Sequence, residues 1–205
     1  MIAIIDYRAG NLRSVERALK HLGISCGITA DSSEILRAER VIFPGVGAAG
    51  KAMETIRELG IDRTIREVIA RGTPFLGICL GTQIIFDMSE EDGAVCLGII
   101  PGTVRKFLDM GEKIPHMGWN TLVKTREHPL LQGIMSDAWF YFVHSYYPEP
   151  AENKDVVART SYGINFVSTV SRGNVFATQF HPEKSGHPGL KILENFSKWE
   201  GKESS

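Results

Sequence analysis

The sequence predicts an α/β protein with an open, mixed and mostly parallel sheet in three layers, helices covering both faces. Short β-branched runs alternate with helical patterns through the first 90 or so positions. The second half shifts to short Val, Ile, Phe and Tyr segments set apart by Gly, Pro and Asn, which adds strands faster than helices. Length and composition agree: 205 residues, 43% hydrophobic and 23% charged, make one compact domain with a real core. We expect that domain over residues 1–200 and a polar tail over 201–205.

Met1 to Asp6 reads as the first strand. Asn11 to Leu22 places Leu12, Val15, Ala18, Leu19 and Leu22 at helical spacing, and Gly23 closes that helix. Ile24 to Thr29 and Arg40 to Phe43 are the second and third strands, the latter running into Pro44-Gly45-Val46-Gly47. Helical patterns at 48–59 and 61–71 precede a strand at 74–78 and a helix over 80–88. Further strands are expected at 97–107, 113–125, 139–147, 155–161, 164–171 and 174–180, then a last helix over Gly186 to Trp199.

Charge excludes some partners. Lys plus Arg number 23 against 24 Asp plus Glu, a net charge of −1, so no global field favours nucleic acid or an anionic membrane. The apolar run Phe75 to Phe86 is broken by Gly77, Gly81, Thr82 and Gln83 and falls short of the roughly 20 residues a membrane span needs. No basic region precedes an apolar run at the N-terminus, so no secretory signal is read and a cytoplasmic setting is expected. Cys26, Cys79 and Cys96 are odd in number and form no CxxC pair, which disfavours a disulfide framework or a four-cysteine zinc site. No HExxH or similar set appears, so neither metal nor cofactor is expected.

One stretch carries chemistry. Thr73 to Gln83 runs a buried-type strand into Gly77-Ile78-Cys79-Leu80-Gly81 and then a helical pattern. Glycines two before and two after a central residue suit a nucleophile elbow, where the turn is tight and the nucleophile must stand clear. A helix N-terminus there favours thiolate, making Cys79 a candidate nucleophile; a buried structural thiol fits the same local pattern. Gln179-Phe180-His181-Pro182-Glu183-Lys184-Ser185 supplies a possible base and orienter, because residues i and i+2 share a face in extended backbone. A structural histidine is the alternative. Pro44–Gly47 could turn backbone N–H groups towards a substrate oxygen, or be a simple strand-to-helix turn. Cys26 and Cys96 lack comparable surroundings.

Together, Pro44–Gly47, Gly77–Gln83 and Gln179–Ser185 resemble the class I, triad-type glutamine amidotransferases in order and spacing. The resemblance implies a flavodoxin-like fold carrying extra antiparallel strands. It implies a Cys79–His181–Glu183 triad that hydrolyses L-glutamine to glutamate and ammonia, with an oxyanion held by the Leu80 N–H and by Val46 or Gly47. Gln83, one helical turn beyond Cys79, and His144, Ser145 and Tyr146 would help hold the substrate. Asp6 to Ser14, Ile114 to Asn120 and Tyr141 to Tyr146 resemble, more narrowly, a branch of the family acting in histidine biosynthesis. Its members pass ammonia to a HisF-type (β/α)8 cyclase subunit, which makes imidazole glycerol phosphate and an aminoimidazole carboxamide ribotide. A barrel of roughly 250 residues cannot fit in this chain, so the resemblance implies a heterodimer. Asn11, Met117, Trp119 and Lys184 are the interface candidates, Trp119 being readable as a core aromatic too. A paralogue feeding another synthase, for example in surface-sugar amidination, is the alternative. The chain departs from the family's usual wording at Thr82, often methionine, and through Asp87–Cys96; neither removes a triad residue.

Overall fold

The computed structural model of the chain describes residues 1–8, 10–108 and 111–202. Its first half follows the alternation in the sequence: β1 (Ile2–Ile5), α1 (Leu12–His21), β2 (Cys26–Thr29), α2 (Ser32–Arg37), β3 (Arg40–Gly45), α3 (Ala49–Glu58), α4 (Ile61–Ala70), β4 (Phe75–Cys79) and the short α5 (Leu80–Gln83). The second half contributes β5 (Met88–Ser89), β6 (Ala94–Val95), β7 (Gly102–Lys106), β8 (His116–Thr121), β9 (Val123–Lys124), β10 (Trp139–His144), β11 (Tyr146–Pro150), β12 (Val156–Tyr162), β13 (Ile164–Arg172), β14 (Val175–Thr178) and α6 (Gly186–Lys198).

An eight-stranded sheet in the order β2-β1-β3-β4-β14-β13-β12-β9 forms the middle layer. Its first five strands are parallel, and β13, β12 and β9 continue it antiparallel. The order β2-β1-β3-β4-β14 is flavodoxin-like. Both faces of β1 are buried: Ala3 and Ile5 join one core with Ile56, Ile65 and Val68 of α3 and α4, while Ile2 and Ile4 join another with Val15, Leu19, Ile192 and Phe196 of α1 and α6. This is why the parallel strands read as continuous apolar runs rather than alternating ones. Each fully buried Ile or Phe in these layers contributes about 1.5–3 kcal/mol of apolar burial.

Two small sheets flank the main one, a β10–β8 ribbon and the four-stranded β11-β7-β5-β6. The run from β10 to β11 therefore leaves one sheet and enters another, turning at Ser145.

The structure adds one helix and corrects two expected elements. Residues 32–37, to which no element is assigned from the sequence, form α2, because the Asp31 carboxylate accepts the Ser33 and Glu34 N–H groups and caps a helix with only Ile35 buried. The helix expected over 80–88 stops at Gln83. The carbonyls of Ile84, Ile85 and Phe86 instead accept N–H groups of Leu97, Ile99 and Gly98, folding the chain back before a helix can propagate. For the same reason the strand expected over 97–107 begins only at Gly102. Residues 203–205 of the expected tail lie outside the described residues. No described helix is long and apolar enough to cross a membrane.

Candidate active site

Three neighbouring parallel strands deliver the sequence-predicted groups to one edge of the sheet. Register pairs Gly45 of β3 with Cys79 of β4, and Ile78 of β4 with Thr178 of β14. The Pro44–Gly47 turn, the thiol and the segment leading to His181 therefore emerge side by side at the carboxyl ends of the strands, where open α/β sheets place their ligands.

Cys79 stands at a sharp strand-to-helix turn with φ 54° and ψ −100°, a strained conformation of order 1–3 kcal/mol for a residue with a side chain. Its two flanking glycines are sterically required. A Cβ on Gly77 would lie 2.7 Å from the Gly81 carbonyl oxygen, and a Cβ on Gly81 would lie 2.0 Å from that of Phe43. The turn closes only because neither exists. The sulfur is nearly buried, receives the Gln179 Nε2 amide at 3.7 Å, and lies 3.9 Å from the Val143 carbonyl oxygen. Buried Thr82 is held by its hydroxyl, which donates to the Thr178 carbonyl at 2.6 Å.

His181 follows β14, and its backbone N–H donates to the Tyr141 carbonyl at 2.9 Å. Nδ1 faces Glu183 Oε1 at 2.9 Å, and neither side chain has solvent exposure. The i,i+2 reading holds, with Pro182 starting a short 3₁₀ turn after His181 rather than continuing an extended strand. Nε2 completes no hydrogen bond among the described residues and is buried. Burial alone would depress this imidazole's pKa. The charge of the facing Cys79 sulfur and the Glu183 carboxylate outweigh burial and hold it well above the ordinary histidine range. That arrangement favours the protonated imidazolium at His181.

A cleft of 430 Å³ opens beside the thiol, lined by Val46, Gly47, Leu80, Gln83, Ser145 and Tyr146 among others. The expected oxyanion and substrate residues thus share one cavity with Cys79. Gln83 Nε2 donates to the Tyr146 carbonyl at 3.2 Å and to Gln179 Oε1 at 3.3 Å. His144 has both ring nitrogens engaged within the protein, so its ring offers no free polar atom to a ligand.

Two residues hold roles that sequence spacing did not suggest. Glu91 also lines the cleft; its carboxylate accepts the Ala49 N–H at 2.7 Å, and burial raises its pKa. The acid-rich run Glu90-Glu91-Asp92 was the only signal for it. Asn11, an interface candidate, donates its amide to Glu183 Oε1 at 2.5 Å. It sits at the cap of α1 with φ 77°, and its side chain makes no cap hydrogen bond. The other interface candidates gather on the outer face of the β8–β10 ribbon: Met117 and Trp119 are exposed, and Trp119 packs edge-on against Tyr141, over which Lys184 Nζ lies 5.8 Å from the ring centre. Among the described residues no group of three or more His, Cys, Asp or Glu could hold a metal ion.

Comparison with known proteins bears on this geometry. Residues 3–199 match the family model described as glutamine amidotransferase class-I. The chain belongs to that family. Among curated class-I relatives, the imidazole glycerol phosphate synthase subunit HisH of Desulfovibrio desulfuricans is 51% identical over 203 residues, covering 96% of this chain and 93% of that one. The Bacillus cereus protein of the same name is 51% identical over 197 residues, with coverage of 96% and 93%. Solved structures extend the class-I likeness in fold: a glutamine amidotransferase superposes with a TM-score of 0.75 at 22% identity, covering 96% of this chain and 99% of that one. A structure of PurLQS from Thermotoga maritima gives 0.74 at 20% identity, with coverage of 95% and 96%.

Proposed function

We propose that this chain is the glutaminase subunit of an imidazole glycerol phosphate synthase, acting in the cytoplasm as a heterodimer with a HisF-type (β/α)8 cyclase. The observation that carries the chemistry is the meeting of Cys79, His181 and Glu183 beside a cleft of 430 Å³, roomy enough for glutamine. The pathway assignment leans on the HisH relatives, about half identical along nearly their whole length.

In this reading the Cys79 thiolate attacks the side-chain carboxamide carbon of L-glutamine. The Leu80 N–H and a Val46 or Gly47 N–H hold the developing oxyanion. His181 donates its proton to the departing nitrogen, and ammonia leaves a glutamyl thioester on Cys79. His181 then takes a proton from water, whose oxygen attacks the thioester and releases glutamate. Glu183 keeps the imidazole oriented and stabilises its charge. Glu91 is suited to receive the substrate's α-ammonium, being a carboxylate in the cleft lining. Gln83, Ser145 and Tyr146 line the same cleft.

Ammonia attacks only while unprotonated, so it must pass to the acceptor site without equilibrating with solvent. The exposed Met117–Trp119 face, with Lys184 beside Tyr141, is the surface we assign to the cyclase, since aromatic anchors rimmed by charge are typical of binding hot spots. The test is to mix the chain with a cyclase subunit and measure glutamate release with and without the cyclase's nucleotide substrate. Release that rises in the complex supports the reading; a complex that forms and frees no glutamate overturns it.

A further inference from the structure

The corner between β10 and β11 is held from behind by a directional chain of hydrogen bonds. His144 Nδ1 lies 2.8 Å from the Tyr146 carbonyl oxygen, which can only accept, so Nδ1 carries the hydrogen. His144 is neutral, since burial pushes its pKa down to about 3, and its Nε2 must therefore accept. The atom facing that nitrogen at 3.1 Å is His116 Nδ1, which must donate. His116, also kept neutral by burial, then presents a bare Nε2 to the Asn120 amide at 3.4 Å, and that amide is anchored on the Ser161 carbonyl at 2.9 Å. Every link runs the same way, from Asn120 through both rings to Tyr146.

The surroundings fix the rings rather than merely bury them. His116 is stacked between Phe142 at 4.8 Å and Tyr162 at 4.0 Å, and His144 packs against Phe107 and Phe166. The Tyr146 carbonyl also receives Gln83 Nε2, so two N–H groups hold one oxygen in the cleft wall. Strand β8 alternates: His116 faces the interior, while Met117 and Trp119 face solvent on the surface assigned to the cyclase.

We propose that His116 and His144 are positioning residues for glutamine: a one-way relay by which β8 sets the Ser145–Tyr146 wall of the substrate cleft without touching the substrate. The proposal rests on the glutaminase reading above. It joins the face that meets the partner to the wall that meets glutamine.

The test uses the assembled complex with its cyclase. His116→Phe keeps a stacked ring and removes the donor to His144. It should raise the KM for glutamine about tenfold, as loss of one buried hydrogen bond implies, and leave kcat within about twofold. His116→Asn can place an amide N–H where Nδ1 stands, and should bring KM back to within about threefold of the unchanged protein. Nitrogen-15 NMR of histidine-labelled, unchanged protein should find both rings as the Nδ1–H tautomer, which keeps the idea falsifiable should a variant fail to fold. An unchanged KM in His116→Phe, equal impairment in both variants, or an Nε2–H tautomer on His144 would each overturn the relay. A complex of unchanged protein that releases no glutamate would instead sink the glutaminase reading.

Discussion

Asn11 and Glu183, separated by 172 positions in sequence, share a hydrogen bond whose acceptor is the same carboxylate oxygen that faces His181 Nδ1. One oxygen thus takes two N–H groups, and the second comes from the start of α1. Replacing Asn11 by Gly keeps the left-handed backbone accessible and removes only the amide. We expect kcat for glutamine hydrolysis in the complex to fall about tenfold with KM little changed, because a freed carboxylate orients the imidazole less well. Steady-state kinetics beside a thermal melt would check this, the melting temperature moving little.

Cys79→Ser is expected to abolish glutamate release and to leave ammonia-driven synthesis by the complex intact. The hydroxyl fits the elbow, but it does not ionise against His181 as a thiol does. Retained glutaminase turnover would remove Cys79 from the nucleophile's role.

Gly81→Ala forces a methyl group to within 2.0 Å of the Phe43 carbonyl oxygen on a buried strand. Backbone must move, so a loss of about 3 kcal/mol or more, or failure to accumulate as folded protein, is expected. Gly72→Ala is the control: its φ is +78° with open space around it, and it should cost only about 1–2 kcal/mol. Urea denaturation of the pair separates steric blockage from backbone preference.

Acidification should destabilise the fold earlier than carboxylate titration alone would. The pKa values of His116 and His144 fall to about 4 and about 3 in the folded state, both through burial first. Below the unfolded value of about 6.5 the unfolded chain binds these protons and the folded chain does not, so stability is complete above that pH and declines as pH falls towards the folded values. Denaturation midpoints between pH 7 and 5 should slope accordingly, and His116→Phe should flatten the slope by up to one proton.

Trp119→Ala is expected to weaken binding of the cyclase subunit by about a hundredfold, as truncation of a central aromatic anchor commonly does. Trp119 is half exposed, so the isolated chain should melt within a few degrees of the unchanged protein. Titration calorimetry with the cyclase would measure the first effect. Undiminished affinity would place the partner elsewhere.

Much of this was legible from residue order, and the boundary has physical causes. Alternating strands and helices up to β4 showed in their periods because each element buries one consistent face. The elbow showed in Gly77 and Gly81 because steric closure leaves no other residue type possible. What spacing could not show were contacts made across the fold: Asn11 reaching Glu183, Glu91 entering the cleft, and His144 spending both nitrogens inside the protein. Short elements failed for another reason. With only Ile35 buried, α2 owes its existence to the Asp31 cap, and the helix after Cys79 ends where Leu97–Ile99 claim its carbonyls.

The insertion of β14 between β4 and β13 has a consequence for synthesis of the chain. The thiol is translated at position 79, but the strand that seats His181 beside it comes some hundred residues later and must slot into the middle of a sheet rather than add to its rim. A nascent chain, or one clipped before the His181–Glu183 turn, carries the cysteine without the histidine we propose as its proton acceptor. If the proposed triad is the catalyst, ammonia release awaits the segment that carries His181, and copies unfinished at that point cannot squander glutamine.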